Sequence, residues 1–282
     1  MKLIRRFIHP YRAIGPLIII IFILIGVFAP IISPPPDPDN PYRIPRDWSP
    51  IPNPPSREAI FGTGEFGVDL FYGVVWGTRM TLQISTIVVV LGMTGGVIIG
   101  AIAGFYGGPL ENFLMRITDI FFAIPGLILA MATASILGGG IRNVAIALAF
   151  VRWPQYSRLI RGEVLRVKNS DYVTSAKALG GKQLYILRKH ILPNSIQPIF
   201  MLTSVDLGRV VLSTSALGFL GVGAPPGTAE WGILISMGRN WLMAGSWWVV
   251  FFPGAAIALY VLAWSFVGDT LRDFLDPTIR ER

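Results

Sequence analysis

Six long runs of apolar residues alternate with polar segments along the chain. The runs cover residues 14–32, 82–106, 114–137, 143–157, 194–222 and 247–268. About 20 apolar residues suffice for an α-helix to cross a bilayer, and these runs lack the residue-by-residue alternation of membrane β-strands. Arg152 and Pro154 interrupt the fourth run. The pattern therefore predicts an all-α membrane protein with six transmembrane helices.

Composition supports this prediction. Of the 282 residues, 52% are hydrophobic and 14% are charged, whereas a soluble domain carries roughly 25% charged residues. The chain has no cysteine, which excludes disulfides, thiolate metal sites and cysteine nucleophiles. These values favour one polytopic membrane domain over a soluble or a disordered chain.

The net charge of +8 is concentrated in two places. Residues 1–13 carry four Lys or Arg and no acid, and residues 158–190 carry eight against two acids, whereas residues 33–81 carry six acids against four bases. Because basic loops remain on the cytoplasmic side of a membrane, both termini and the loop 158–193 are predicted to be cytoplasmic. The surplus of positive charge thus indicates topology in the cell membrane and is no sign of nucleic-acid binding.

The predicted spans divide the chain into consecutive parts. These are a cytoplasmic N-terminus (1–13), a first transmembrane helix (14–32), an external segment (33–81), a five-helix core with its cytoplasmic loop (82–268) and a cytoplasmic tail (269–282). The first run is longer than the apolar part of a signal peptide and lacks a clear A-x-A cleavage site, which favours a retained helix. Residues 33–58 are rich in proline and are predicted to form an extended external strap, either as a spacer or as a contact surface for an external partner.

The loop 158–193 is long for a compact membrane protein, which makes it a candidate functional segment. Ser170 or Asp171 can cap a short helix that continues to Leu179. The following Gly180-Gly181 pair can end this helix in a left-handed turn. The pattern predicts a helix flanked by strong start and stop signals.

A second helical stretch, at about residues 182–190, is predicted to stop before Pro193. Small residues at positions 175, 176 and 178 leave one face of the first helix open to close approach. Two interpretations follow from these residues alone. The helix either docks in a groove of a cytoplasmic partner or lies at the membrane surface, where its basic residues contact anionic lipid.

This loop resembles a known family motif. Residues 170–194 read SDYVTSAKALGGKQLYILRKHILPN and resemble the EAA loop of ABC-importer permeases, in the form found in the C-type permease of dipeptide and oligopeptide systems. Four further segments resemble that family in the same order: GTGEFGVDLFYGVVWGTRMTL (62–82), MRITDIFFAIPGLILA (115–130), LGFLGVGAPPGTAEWG (217–232) and GDTLRDFLDP (268–277). The loop departs from the family at Thr174, where Glu is usual, and at Ser175, where Ala is usual. Ala176 and Gly180 agree with it.

The resemblance implies a permease subunit of an ATP-driven importer that forms half of a translocation path for peptides and works by alternating access. The same group includes importers of oligosaccharides and of nickel, which are alternatives for the substrate. The implied partners are a second, homologous permease, two ABC ATPase subunits and an external solute-binding protein, in the membrane of a prokaryotic cell and without a cofactor. Within the loop, the resemblance assigns contact with the ATPase subunit to Tyr172, Thr174, Ser175, Ala176, Leu179, Gly180 and Leu184.

The sequence contains no recognisable catalytic motif. Gly180-Gly181-Lys182 lacks the spacing and the following hydroxyl of a phosphate-binding loop, so ATP hydrolysis is expected on separate subunits. His9 and His190 belong to no metal-binding motif, and no metal site is predicted. A free-standing secondary transporter is the less favoured alternative, because it gives the long cytoplasmic loop no role.

Two pairs of opposite charges fall within predicted spans. Arg116 with Asp119, and Asp206 with Arg209, are each three residues apart and are predicted to neutralise each other on one helix face. Asp206 and Arg209 lie deeper in the membrane, where they either line the translocation path or form a structural pair. A belt at the external membrane interface is predicted for four aromatic residues, Trp231, Trp241, Trp247 and Trp248.

Overall fold

The computed structural model describes residues 10–275, which are helical apart from their connections. The helices are α1 (Pro10–Ile32), α2 (Leu70–Tyr106), α3 (Gly108–Ala123), α4 (Gly126–Ile136), α5 (Ile141–Lys168), α6 (Asp171–Ala178), α7 (Gln183–Ile186), α8 (Leu192–Ser195), α9 (Gln197–Phe219), α10 (Trp231–Met243) and α11 (Trp248–Leu275). A 3-10 turn at Glu65–Gly67 and a π-helical turn at Leu187–Ile191 complete the regular structure. Residues 10–275 form no β-strand beyond isolated bridges, so the prediction of an all-α protein is confirmed.

Each predicted span corresponds to a helix or to a pair of helices. Four helices, α1, α2, α9 and α11, are individually long and apolar enough to cross a membrane. Helices α3 and α4 pass the same test only as a pair and are bent by 92° at the break between them. The prediction of one continuous helix over 114–137 is therefore wrong. Pro125 disfavours the helical conformation at Ile124, whose backbone is extended.

Three predicted boundaries differ from those of the structure. Helix α2 begins at Leu70, inside the predicted external segment, because the Asp69 carboxylate accepts a hydrogen bond from the Tyr72 backbone N–H (3.1 Å) and caps the helix. Helix α5 continues through Lys168, so the cytoplasmic connection begins later than residue 158. Helix α11 continues through Leu275 and includes part of the predicted tail. Residues 1–9 and 276–282, predicted to be cytoplasmic, lie outside the described residues.

Helices α2 and α5 pack closely along a face of glycines. Gly92, Gly96, Gly100 and Gly104 recur at every fourth position of α2 and are buried against α5. A Cβ atom at Gly100 would overlap the backbone oxygen of Ser157 and lie 2.5 Å from Ile160 Cγ2. Small residues at this spacing let two membrane helices approach to backbone contact. The pair α2–α5 thus forms the centre of the bundle.

The external strap is held against the loop that follows α9. The Ile44 N–H donates to the Gly227 carbonyl (2.9 Å), and the Ala229 N–H donates to the Tyr42 carbonyl (2.7 Å). Arg46 adds a hydrogen bond from Nη2 to a loop carbonyl, and Ile44 is buried. Residues 33–58 contain no helix, in agreement with their proline-rich sequence. The strap is thereby fixed to the end of the bundle where α9 ends.

The prediction that Trp231 belongs to an aromatic belt at the membrane interface is wrong. Its side chain is fully buried, its Nε1–H donates to the Val74 carbonyl (3.2 Å), and its ring contacts Phe22 and Tyr260. Because an acceptor is available inside the protein, the indole N–H does not need the membrane interface. Trp247 is half-exposed.

Candidate functional site

The segment between α5 and α9, which was predicted to be cytoplasmic, begins with α6, whose end follows the predicted glycine signal. Gly180 has a φ of +81°, the Gly181 N–H donates to the Ala176 carbonyl (3.1 Å), and the Gly180 N–H donates to the Lys177 carbonyl (3.0 Å). This is the Schellman arrangement of a helix C-terminus. At the other end, Ser170 precedes the helix but its hydroxyl donates to the Val167 carbonyl (2.6 Å) and forms no side-chain cap.

The stretch after α6 departs from the prediction that it stops before Pro193. Helix α7 continues into the π-helical turn Leu187–Ile191 and then into α8, which contains Pro193 in its first turn. Proline is tolerated at that position because the N–H groups of a first helical turn have no acceptor within the helix, so its missing N–H costs nothing. Ile186 and Ile191 are buried in the bundle core, as is Val173 of α6. These three side chains anchor the segment to the membrane helices.

Apolar side chains on the other side of this segment are exposed. Leu179 is 89% exposed, and Tyr172, Leu184 and Tyr185 are each about half exposed. We call these four residues the coupling patch. Tyr185 is an addition to the predicted contact residues, and its ring packs against His190. A cluster of exposed apolar residues on an anchored polar segment is typical of an interaction surface.

The other predicted contact residues stabilise the local structure of the segment. The hydroxyls of Thr174 and Ser175 are exposed and donate to the backbone carbonyls of Ser170 and Asp171. Ala176 is half-buried and packs against the bundle core, so its small side chain faces the protein. Gly180 is exposed with free space around it, and its positive φ is the feature that requires glycine.

A buried ion pair joins α5 to α9 near the middle of the bundle. Asp206 is fully buried and accepts hydrogen bonds from Arg152 Nη1 (2.8 Å) and from the Tyr156 hydroxyl (2.9 Å). Arg152 Nη2 also donates to the Ser213 hydroxyl (2.9 Å). The predicted pairing of Asp206 with Arg209 is wrong. Asp206 points towards α5, whereas the Arg209 side chain is exposed.

The predicted pairing of Arg116 with Asp119 is also wrong. Asp119 pairs with Arg158 of α5 (2.5 Å), and a second ion pair joins Glu111 to Arg161. Arg116 is exposed in the middle of α3. Both acids of α3 are therefore neutralised by the neighbouring helix, which fixes α3 to the C-terminal half of α5.

Glu230 is a buried carboxylate that the sequence prediction did not include. Only 2% of the residue is exposed, and its carboxylate accepts from the N–H groups of Gly232 (3.0 Å) and Ile233 (2.9 Å), capping α10. Burial raises the pKa of Glu230 to about 7. The signal in the sequence that could have identified Glu230 is its position directly before Trp231, where a short helix begins after a turn.

Glu230 gives the protein a specific pH dependence. Between about pH 4.5 and about pH 7, the folded protein retains a proton that the unfolded chain releases, so the free energy of unfolding falls as pH rises through this window. We expect the Tm in detergent to fall between pH 5 and pH 8 by a few degrees more in the wild type than in Glu230→Gln. Glu58→Gln, which changes an exposed external acid, should keep the wild-type slope. Equal slopes in the wild type and Glu230→Gln would contradict this assignment.

No metal site is evident in residues 10–275, where no group of three or more His, Asp or Glu side chains could hold an ion. His190 packs against Tyr185. His9 lies outside the described residues.

Comparison with known proteins shows which family has this architecture. Residues 96–281 match the family described as "Binding-protein-dependent transport system inner membrane component". The dipeptide transport system permease protein DppC of Alkalihalophilus pseudofirmus is 39% identical over 95% of this chain and 86% of its own length. The glutathione transport system permease protein GsiD of Pectobacterium atrosepticum is 35% identical over 98% of this chain and 90% of its own length.

A solved structure supports the fold. The inward-facing MetNI methionine ABC transporter matches with a TM-score of 0.61 at 19% identity, over 73% of this chain and 98% of the matched chain. The family match and the relatives together cover the helices, the cytoplasmic segment and most of the external strap. The chain is a multi-pass membrane protein and belongs to the family of binding-protein-dependent transport system inner membrane components.

Proposed function

We propose that this chain is the permease subunit of an ATP-driven importer of peptides and forms half of its translocation path. The observation that carries the proposal is the coupling patch, an exposed apolar surface on a segment that Val173, Ile186 and Ile191 anchor in the bundle. The relatives named for dipeptides, D,D-dipeptides and glutathione favour peptides over oligosaccharides or nickel as the substrate.

In this proposal, two ABC ATPase subunits bind and hydrolyse ATP, and this chain contributes no catalytic residue. A second, homologous permease completes the path, and a solute-binding protein delivers the substrate to the external side. Both termini and the coupling patch lie in the cytoplasm, as the distribution of basic residues indicates. The external strap is then on the side where the binding protein docks.

Helix α5 connects the coupling patch to the interior of the bundle. It continues without a break from Ile141 to Lys168, directly before α6, and carries Arg152 near its middle. At about 1.5 Å per residue, Arg152 lies about 24 Å from the cytoplasmic end of the helix. Alternating access requires that the ATPase subunits bind one permease conformation more tightly than the other. Because α5 remains one continuous helix in spite of Pro154, it can transmit that difference from the coupling patch to the path.

The coupling patch is tested by placing a charge at its most exposed residue. We expect Leu179→Asp to weaken association with the ATPase subunits by about 2 kcal/mol or more, because a central apolar contact becomes a desolvated carboxylate. Co-purification with tagged ATPase subunits and substrate-stimulated ATP hydrolysis in proteoliposomes should both fall at least about tenfold.

Met243→Asp is the matched control, because Met243 is 91% exposed on the external helix α10. This variant should retain the ATPase subunits and coupled hydrolysis. Wild-type association of Leu179→Asp would refute the docking role of the patch.

A further inference from the structure

A cavity of about 320 Å³ lies at the break between α3 and α4. Ile124, Pro125 and Gly126, which form the break, line one wall, and α5 and α9 line the other. Non-helical backbone at membrane depth is tolerated where it is buried in protein or faces a water-filled cavity. Because these three residues are exposed, the break faces the cavity and is not covered by another helix of this chain.

The wall opposite the break combines apolar residues of α5 with three polar side chains. Arg152 and Gln155 of α5 and Ser213 of α9 line the cavity, and Arg152 Nη2 donates to the Ser213 hydroxyl (2.9 Å). The charge of Arg152 is balanced by Asp206, which is buried behind it. A guanidinium has five N–H donors, so Arg152 retains donors beyond those used on Asp206, on Ser213 and on the Arg209 carbonyl. This wall can therefore donate hydrogen bonds without adding net charge.

Arg209 is not among the residues that line the cavity, but it lies next to them on α9. It precedes Ser213 by one helical turn, and its backbone carbonyl accepts from the Ser213 hydroxyl (3.0 Å). Its side chain is exposed near the middle of α9, and among residues 10–275 no carboxylate lies within ion-pair distance of it. A charged side chain at membrane depth is stable only next to water or an opposite charge. Arg209 therefore requires an anion or an aqueous path.

We propose that the cavity and Arg209 form a hydrated station on the path that binds the carboxylate of a passing substrate. Arg209 attracts the anion, and Arg152 and Gln155 donate hydrogen bonds to it, whereas the hydroxyl proton of Ser213 is used on the Arg209 carbonyl. Since Asp206 neutralises Arg152, the carboxylate meets a single net positive charge, which favours entry without preventing release. This inference rests on the proposed transport function, and it assigns a substrate chemistry to a defined place in the chain.

The absence of cysteine in the natural chain allows a direct test. Ser213→Cys is introduced into the full chain, purified with its partner subunits and reconstituted in liposomes. The rate of modification of this chain is measured with two thiol reagents, the anionic 2-sulfonatoethyl methanethiosulfonate and the cationic 2-(trimethylammonium)ethyl methanethiosulfonate. We expect the anionic reagent to react at least about tenfold faster, because a positive, water-filled cleft concentrates anions.

Two further variants identify the source of this preference. Arg209→Gln in the Ser213→Cys background should abolish the preference for the anionic reagent, whereas Arg209→Lys should retain it. Leu24→Cys, which has a half-exposed side chain on the peripheral helix α1, should react with neither reagent. Because modification is measured without ATP, the test is independent of coupling through Leu179.

Three results would overturn the proposal. If Ser213→Cys is as unreactive as Leu24→Cys, the cavity is dry. If it reacts with both reagents equally, the site has no preference for anions. If Arg209→Gln causes loss of the second permease from the purified complex, Arg209 is paired with an acidic side chain of that subunit and is unavailable to substrate.

Discussion

Asp206→Ala is expected to lower the free energy of unfolding by about 3–5 kcal/mol, because it leaves Arg152 as an uncompensated charge inside the bundle. Asp206 is fully buried, and the Arg152 side chain is only 17% exposed. The substitution also removes the acceptor of the buried Tyr156 hydroxyl. The change is measured by denaturant unfolding in detergent micelles, followed by tryptophan fluorescence.

Two matched variants distinguish the stability effect of breaking the buried ion pair from the effect of removing any charge. Asp119→Ala breaks the exposed pair with Arg158, whose side chains are 51% and 65% exposed, and should cost at most about 1 kcal/mol. The double variant Arg152→Met with Asp206→Leu removes both charges and should recover most of the stability lost by Asp206→Ala. A cost for Asp206→Ala no larger than that for Asp119→Ala would contradict the buried pairing.

Local signals predicted the elements of the fold but not all of their ends. The apolar runs located the four helices that are individually long and apolar enough to cross a membrane, and Gly180-Gly181 predicted the end of α6, because both features act within a few residues. The start of α2 was missed because hydropathy reports where side chains are apolar. The backbone is already helical at Leu70, where the Asp69 cap begins the helix.

The polar pairings inside the bundle were not predictable from spacing along one helix. Asp206 and Arg209 lie on adjacent turns of α9, but Asp206 is oriented towards Arg152, which is 54 residues away in the chain. The sequence contains both charges and does not show which helices are neighbours. The same limitation applies to Asp119 and Arg158, which are 39 residues apart.

The structure can be compared with the family motif residue by residue, because the motif is continuous in sequence. Tyr172, Leu179 and Leu184 are exposed apolar residues, as a docking surface requires. Ala176 faces the bundle instead, which a motif cannot reveal. The role of these residues in docking remains a prediction for the Leu179→Asp experiment.

A large loss of stability is also expected from a substitution in the glycine face of α2. We expect Gly100→Ala to lower the free energy of unfolding by about 3 kcal/mol, because the added methyl group overlaps the Ser157 carbonyl oxygen and forces α2 and α5 apart. Neither neighbour can move aside cheaply, since one is backbone and the other is the β-branched Ile160. The measurement is the same detergent unfolding experiment used for Asp206→Ala.

Gly95→Ala is the matched control on the same helix, because its added Cβ would have Trp153 Cβ at 3.9 Å as its nearest contact. This variant should be neutral or more stable by up to about 1 kcal/mol, since alanine favours the helical backbone more than glycine does. Equal stability of the two variants would show that α2 and α5 do not meet at Gly100. Because α5 carries both Arg152 and the connection to the coupling patch, Gly100→Ala should also reduce coupled ATP hydrolysis in complexes that still assemble, and Gly95→Ala should not.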